Sequence, residues 1–174
     1  FGVGERLITA KSAPVFGGVY KLAAVEDEQG NIIPKIKISE NTAKITNPHY
    51  KKLYRFYDNE SGKALADELC VYDETIDSTK PHTIFDPDAI WKTKTLTDYT
   101  VKELHVTVFK NGELVYKQPS LFEIKRYCAE QTETLWDEVK RFENPHTYYV
   151  DLSKKLWDIK NALLEKSKDG KNLQ

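Results

Sequence analysis

Methionine is absent from this 174-residue sequence, which begins at Phe1 without an initiator residue. Its first residues, Phe1-Gly2-Val3-Gly4, are typical of a buried strand that ends in a glycine turn rather than of a solvated terminus. Proteolytic processing would account for both features, and so would a longer parent polypeptide. We expect the second explanation, in which the chain is one piece of a larger protein.

Cysteine, excess charge and long apolar runs are also scarce. Cys70 and Cys128 lie far apart and fit neither a disulfide framework nor a zinc site, whereas two isolated thiols suit the reducing cytoplasm. A formal net charge of −1 argues against a dedicated nucleic-acid-binding protein, because no excess of lysine and arginine can neutralise phosphates. No apolar run reaches the roughly 18 residues that a membrane-spanning helix needs, so no membrane span is predicted.

The first two thirds of the chain predict short antiparallel strands. Their predicted ranges are 18–25, 32–38, 53–57, 64–71, 105–110 and 113–117. Asn111-Gly112 predicts a type I′ hairpin turn, because both residues tolerate positive φ. Pro34 removes a ladder donor and predicts an edge or a bulge at the start of its strand. Between the strands, Ser39 is expected to cap a short helix that Asn47-Pro48 ends.

From Pro119 onward the apolar residues recur at helical spacing. Ser120 and Glu123 form a capping box, and the pattern predicts one helix that continues to Phe142 before Asn144-Pro145. A second helix is expected from Leu152, with Asp151 as its N-cap, followed by a polar tail. We therefore predict an α+β fold: a mostly antiparallel β domain over 18–118, followed by two C-terminal helices and a tail over 119–174.

The glycines at the start of the chain are the first candidate binding site. Gly2 and Gly4 let the backbone turn sharply, and successive free N–H groups through Glu5 can surround an anion. A phosphate or pyrophosphate is the expected ligand. A strand-ending turn without a ligand is the alternative that these residues leave open.

Titratable side chains predict no second site. The histidines at positions 49, 82, 105 and 146 lack the spacing of helical metal ligands, and we expect structural roles for them. Asp67 and Glu68 are adjacent, but consecutive residues of a strand face opposite sides of a sheet. The sequence Asp86-Pro87-Asp88 is ordinary turn chemistry. No nucleophile-elbow, Walker-type or cysteine-nucleophile motif is present.

An ordered set of motifs nevertheless resembles the nicotinate phosphoribosyltransferase family. In that family a Phe-Gly-Val-Gly-Thr segment leads into a Gly-Val-Tyr-Lys-Leu strand, as FGVGE (1–5) leads into GVYKL (18–22) here. The further segments that carry the resemblance are KIKISEN (35–41), KITNP (44–48), YRFYD (54–58), FDP (85–87), WKTKTL (91–96), PSL (119–121), LWDE (135–138) and VDLSKKLWD (150–158). No single motif is diagnostic, but their order along the chain is.

This resemblance implies the C-terminal portion of a type II phosphoribosyltransferase, which combines an irregular α/β barrel with a β-rich domain. Residues 1–17 would be the end of the barrel. The implied reaction joins nicotinate to phosphoribosyl pyrophosphate and gives nicotinate mononucleotide and pyrophosphate, coupled to ATP hydrolysis, in the synthesis of NAD. ATP and Mg²⁺ are implied cofactors of the full-length enzyme, and none is expected on this piece alone.

The resemblance also implies partners and a site. In the family a phosphorylated histidine and an arginine-containing nicotinate site lie upstream, and none of those motifs matches this chain, so none of its histidines is expected to be catalytic. The missing N-terminal part is the expected partner, in a cytoplasmic homodimer. The glycine turn would bind phosphoribosyl pyrophosphate through Gly2, Gly4 and Glu5. Glu5 replaces the family's threonine, which leaves only backbone N–H groups as donors.

A stand-alone β-rich module that binds another protein through its helices is the competing hypothesis. An isolated part of an enzyme should not turn over substrate, which makes this alternative reasonable for the chain as it stands. An apolar surface on Val3, Leu7, Val15 and Phe16 would favour the hypothesis that the chain is one part of a larger enzyme. A fully polar exterior would favour the module.

Overall fold

A four-stranded sheet forms the centre of the fold in the computed structural model, which describes residues 18–169. The strands in chain order are β1 (Ala24–Glu26), β2 (Ile32–Pro34), β3 (Lys51–Asp58), β4 (Ala64–Val71), β5 (His82–Asp86), β6 (Ala89–Leu96), β7 (Tyr99–Glu103), β8 (Phe109–Lys110), β9 (Glu113–Leu114) and β10 (Val150–Leu152). The helices are α1 (Leu121–Glu133), α2 (Asp137–Lys140) and α3 (Lys154–Asp169). This is the predicted α+β class.

The central sheet has the strand order β10-β4-β3-β7. Strands β3 and β4 form an antiparallel hairpin, β7 adds antiparallel to β3, and β10 adds parallel to β4. The parallel pair sets Asp151 of β10 beside Glu68 of β4. A segment from near the end of the chain thus completes the sheet, so the sheet depends on contacts between residues distant in sequence.

The β3–β4 hairpin forms where the sequence predicts it. Its turn is held by Asp58, whose carboxylate accepts hydrogen bonds from the backbone N–H of Ser61 (2.8 Å) and from the Ser61 hydroxyl. Gly62 has φ of +68°, a conformation that side chains with a Cβ rarely adopt. The local sequence therefore determines both the position of the turn and the pairing of the two strands.

Two apolar clusters make up the core of the described residues. The first is formed by Phe56, Ala66, Ile84, Leu96 and Tyr99, where the β5–β6 hairpin meets the central sheet. The second is formed by Val71, Leu152 and Leu156, where α3 meets the sheet. Phe56 and Leu156 are completely inaccessible to solvent, so both hairpins and the last helix are held by burial.

The predicted N-terminal elements are shorter than expected. The predicted strands 18–25 and 32–38 reduce to the three-residue strands β1 and β2, which among residues 18–169 pair only with each other. Pro34 ends β2 rather than beginning it, because it has no N–H to donate. The helix expected at Ser39 is wrong: Asn41 instead caps a single 3₁₀ turn, Thr42–Lys44, through a 3.0 Å bond from the Ala43 N–H.

The two predicted helices begin or end differently from expectation. The Ser120–Glu123 capping box is confirmed, but α1 ends at Glu133 rather than near Phe142. Tertiary hydrogen bonds explain the early end: the Lys63 ammonium donates to the Glu133 carbonyl at 2.6 Å, and the Ala64 N–H donates to the Thr134 carbonyl at 2.7 Å. In a longer helix, these carbonyls would instead accept backbone N–H groups from the next turn.

The N-cap predicted for the last helix is also wrong. Asp151 belongs to β10, and Ser153 caps α3 instead, with its hydroxyl accepting the Leu156 N–H at 3.2 Å. The local sequence contains an acceptable cap at either position. Pairing of Val150–Leu152 with β4 selects the later one, because residues in the ladder cannot also begin the helix.

The Asn111-Gly112 turn is confirmed, with φ of 51° and 81° at the two central residues. The flanking strands β8 and β9 are only two residues long, and His105 lies outside them, although the sequence predicts a strand there. Every residue from 105 to 118 is exposed. The domain limits at residues 17/18 and 118/119 stay predictions.

Candidate functional site

The predicted phosphate-binding turn lies outside the described residues. Gly2, Gly4 and Glu5 all precede residue 18, and so do the four apolar residues proposed to distinguish the two hypotheses. The phosphate-binding role of the turn therefore stays a prediction. The chemistry that can be described lies on and around strand β4.

Asp67 occupies the centre of a buried ion pair. The Arg55 guanidinium donates from Nε to one carboxylate oxygen at 2.7 Å and from Nη2 to the other at 2.9 Å, and the Tyr148 hydroxyl donates to Asp67 at 2.8 Å. Asp67 is 4% exposed. Hydrogen bonding to Asp67 raises the pKa of Arg55, and burial raises the pKa of Tyr148. All three groups are paired, so the cluster joins β3, β4 and the segment before β10 and leaves no free acid or base.

Glu68, the next residue of β4, belongs to a different cluster. Its carboxylate contacts His82 Nε2 at 2.8 Å, and the His82 ring stacks on Phe56 with centroids 5.1 Å apart. The prediction that Asp67 and Glu68 act on separate faces is confirmed. Cys70 lies beside Glu68, with its sulfur 3.6 Å from the carboxylate, and burial followed by the neighbouring carboxylates raises its thiol pKa. Cys70 is thus held as a thiol and is not an activated nucleophile.

A cleft of about 820 Å³ opens next to the start of β4. Residues from β4, β6, α2 and the segment 145–149 line it. Its lining residues include Leu65, Lys94, Trp136, His146, Tyr148 and Tyr149. Aromatic walls with a few polar groups are typical of small-molecule sites and of surfaces covered by another part of a protein. Sequence reasoning misses this cleft, because its walls come from four separate segments.

A smaller cavity of about 140 Å³ shares Lys94 and Tyr149 with the cleft, and Asp151 is among the residues that line it. Asp151 is 5% exposed. Burial, followed by the charges of Asp86 and Glu68, raises its pKa to about 6. Lys92 approaches Asp86 at 3.7 Å. The protonation state of Asp151 therefore changes near neutral pH, and its position on β10 explains why sequence reasoning about an N-cap misses it.

His49 and His105 have structural contacts. His49 has φ of 78° and contacts the backbone of Tyr50, and His105 Nδ1 accepts the Leu53 N–H at 3.1 Å. Among residues 18–169, no group of three or more His, Cys, Asp or Glu side chains has an arrangement suited to a metal ion. In the same part of the chain, no helix combines the length and apolar character needed to cross a lipid bilayer.

Comparison with known proteins assigns the family. Residues 50–160 match the model of the nicotinate phosphoribosyltransferase C-terminal domain. The chain belongs to this family. It is 38% identical over 160 residues to the nicotinate phosphoribosyltransferase of Bacillus subtilis, and 33% identical over 165 residues to that of Caenorhabditis elegans. These matches cover 92% and 94% of this chain but 32% and 28% of the two relatives, so the chain spans about a third of their length.

The nicotinate phosphoribosyltransferase fold is also seen in a solved structure. The crystal structure of human nicotinic acid phosphoribosyltransferase superimposes with a TM-score of 0.62 and 25% sequence identity, over 68% of this chain and 24% of the human chain. The central sheet and the Asp67 and Asp151 clusters all lie within the residues matched by the family model. The described site is thus part of the C-terminal domain of this family.

Proposed function

We propose that this chain is the C-terminal part of an enzyme that forms nicotinate mononucleotide and pyrophosphate from nicotinate and phosphoribosyl pyrophosphate, coupled to ATP hydrolysis. The observation that carries the proposal is the family match across residues 50–160, together with relatives of that name that match more than nine tenths of this chain. The activity requires the part of the enzyme that precedes this chain in its relatives, and 174 residues alone are expected to be inactive.

The residues present in this chain indicate which ligands it would bind and which ligands the preceding part of the enzyme would bind. Backbone N–H groups of Gly4 and Glu5 would contact a phosphate of phosphoribosyl pyrophosphate, while the Glu5 carboxylate would point to solvent or pair with Arg6. ATP and Mg²⁺ would be held by the preceding part of the enzyme. The Arg55–Asp67–Tyr148 cluster would hold β3, β4 and the segment before β10 together within the C-terminal domain.

The exterior of the described residues lacks the fully polar character that would favour the stand-alone module. Large apolar side chains are exposed, among them Phe122 at 83%, Leu121 at 77% and Trp91 at 77%. A fully polar exterior is the feature expected of a module. Exposed apolar surface of this kind is typical of a face that another part of a protein covers. The two free thiols, Cys70 and Cys128, suit an enzyme of the cytoplasm.

A chimera tests the proposal. Residues 1–174 replace the matching C-terminal third of the Bacillus subtilis relative, and formation of nicotinate mononucleotide and of ADP is measured with both substrates and ATP. We expect turnover by the chimera and none by residues 1–174 or by the relative truncated before its C-terminal third. A chimera that unfolds cooperatively on heating but forms no product would overturn the proposal.

The same chimera tests the glycine turn. Gly4→Val adds a β-branched side chain where positive φ and space for a phosphate are expected, so KM for phosphoribosyl pyrophosphate should rise far more than KM for nicotinate. Glu5→Thr should change either KM less than about fivefold if the carboxylate faces solvent, since exposed charge pairs contribute only about 0–1 kcal/mol. Equal effects of Gly4→Val on both substrates would make the turn purely structural.

A further inference from the structure

Helix α1 and the β8–β9 hairpin form a surface that buries nothing within the described structure. All residues from 105 to 118 and from 120 to 130 are exposed, and α1 contains no buried residue. The segment is attached at its two ends: the Leu104 N–H donates to the Leu53 carbonyl at 2.8 Å, and the Lys63 ammonium donates to the Glu133 carbonyl at 2.6 Å.

A groove of about 570 Å³ runs between α1 and the chain that enters the hairpin. Its apolar lining is formed by Leu104, Val106, Tyr116, Pro119, Ile124 and Tyr127. Charged residues of both signs surround this lining, with Lys102 and Glu103 on one side and Arg126 and Glu130 on the other. An apolar centre inside a rim of mixed charge is the composition of a protein–protein contact rather than of a site for nucleic acid or an anionic ligand. We call this surface the α1 groove.

The described part of the chain exposes more surface than a compact protein of its mass. The accessible surface of the whole chain is 13,899 Å², whereas a compact protein of 20.1 kDa exposes about 8,700 Å². Even if residues 1–17 and 170–174 exposed the whole surface of an unfolded chain, the described residues would keep about 10,000 Å² against about 7,900 Å² expected for their mass. The excess of roughly 2,000 Å² exceeds the roughly 800 Å² that each partner contributes to a standard interface.

We propose that the α1 groove is the surface on which the C-terminal domain docks against the preceding part of its own enzyme. This inference rests on the proposed function. The occupant is identified by length: about two thirds of each matched relative lies outside the match, since the matches cover only 32% and 28% of the relatives. That missing part is large enough to supply an interface of this size, with apolar side chains that enter the groove between Ile124 and Tyr127.

Hydrogen–deuterium exchange on residues 1–174 and on the chimera with the Bacillus subtilis relative tests the inference. The amides of α1 should exchange at least about tenfold more slowly in the chimera, because docking adds protection that the helix lacks alone. Tyr127→Asp, which places a carboxylate in the groove, should lower the melting midpoint of the chimera by about 3 °C or more and leave that of residues 1–174 nearly unchanged. Ala129→Asp is the matched control: it adds the same residue to the same helix at an exposed position outside the groove and should have equal effects in both proteins.

If a second copy of the chain or the chain's own residues occupy the α1 groove, amide exchange of α1 should give a different result. Slow exchange of α1 in residues 1–174 that depends on protein concentration would assign the groove to a second copy of the chain. Slow exchange that does not depend on concentration would assign it to the chain's own residues. Equal exchange in the two proteins, or equal effects of Tyr127→Asp and Ala129→Asp in the chimera, would also overturn the proposal. These readouts do not require turnover, so an inactive chimera that protects α1 contradicts the proposed function and leaves the docking surface supported.

Discussion

The central sheet and the segment from 105 to 130 have equally clear local sequence signals but differ in what they bury. In the sheet, Phe56 and Val71 have no exposed surface, and strands from distant parts of the chain cover them. In the segment, a capping box and a type I′ turn form as predicted, yet every residue except Pro119 is exposed. Local signals thus determine where a helix or turn forms, while packing determines whether it is stable, since a 13-residue helix is marginal in water by itself.

The largest expected difference between the two regions is the loss of unfolding free energy when a phenylalanine is replaced by alanine. Phe56→Ala should lower the free energy of unfolding of residues 1–174 by about 3–5 kcal/mol, because the ring is fully buried between the sheet and the β5–β6 hairpin. Phe122→Ala, at a residue 83% exposed, should change it by less than about 0.5 kcal/mol. Urea unfolding measures both. Similar losses would mean that α1 is packed in the isolated chain, contrary to the comparison.

Removal of one partner of a charge pair should likewise lower the free energy of unfolding more in the sheet than on α1. Asp67→Ala leaves the Arg55 guanidinium, 19% exposed, without its carboxylate and should cost about 3 kcal/mol of unfolding free energy. Glu130→Ala removes the partner of Arg126, where both side chains are more than 60% exposed, and should cost less than about 0.5 kcal/mol. The double variant Arg55→Met/Asp67→Leu should recover most of the loss. If it recovers nothing, the hydrogen bond from Tyr148 matters more than the charge pair.

Buried Asp151 in the sheet should make stability depend on pH. Its folded pKa of about 6 lies above the ordinary value of 3.8, so the fold favours the protonated group and loses stability as pH rises from 3.8 through 6. Asp151→Asn should therefore raise the free energy of unfolding by about 2 kcal/mol at pH 8 and by almost nothing near pH 3.8. Urea unfolding at several pH values checks this. A gain of equal size at every pH would show that the charge of Asp151 is not what costs stability.

Removal of a helix cap should lower the global stability only where the helix packs against the rest of the protein. Ser153→Ala removes the side-chain acceptor for the Leu156 N–H and also the 2.7 Å hydrogen bond to Glu74, and should cost about 1 kcal/mol of global stability. Asp151→Ala serves as a comparison at the position that the sequence alone favours as the cap. A larger helical loss from Asp151→Ala, measured by circular dichroism, would contradict the assignment of Ser153.

The smallest global effect is expected at the other cap. Ser120→Ala disrupts the capping box of α1, in which the Glu123 N–H donates to the Ser120 hydroxyl at 3.3 Å. Because α1 has no buried residue, fraying of its first turn should speed amide exchange there about five- to tenfold and leave the midpoint of global unfolding unchanged. A drop in the global midpoint as large as that of Ser153→Ala would show that α1 contributes to the core.

The errors of sequence reasoning have a common physical cause. The end of α1 at Glu133 depends on hydrogen bonds from Lys63 and Ala64, about seventy positions earlier in the chain. The sequence favours Asp151 as a helix cap because nothing local reveals that β10 pairs with β4. The cleft lined by Trp136 and Tyr148 combines four segments and has no signature in any one of them.

The sequence by itself determined the α+β class, the β3–β4 hairpin, the Asn111-Gly112 turn, the capping box of α1 and the family resemblance, because each depends on residues within a few positions of one another or on motifs in order. The tertiary structure decided which carboxylates are paired, that Asp151 is buried, and that α1 is left uncovered. Charge pairing, desolvation and burial depend on which distant residues meet, and these determine the ionisation and stability of the C-terminal domain.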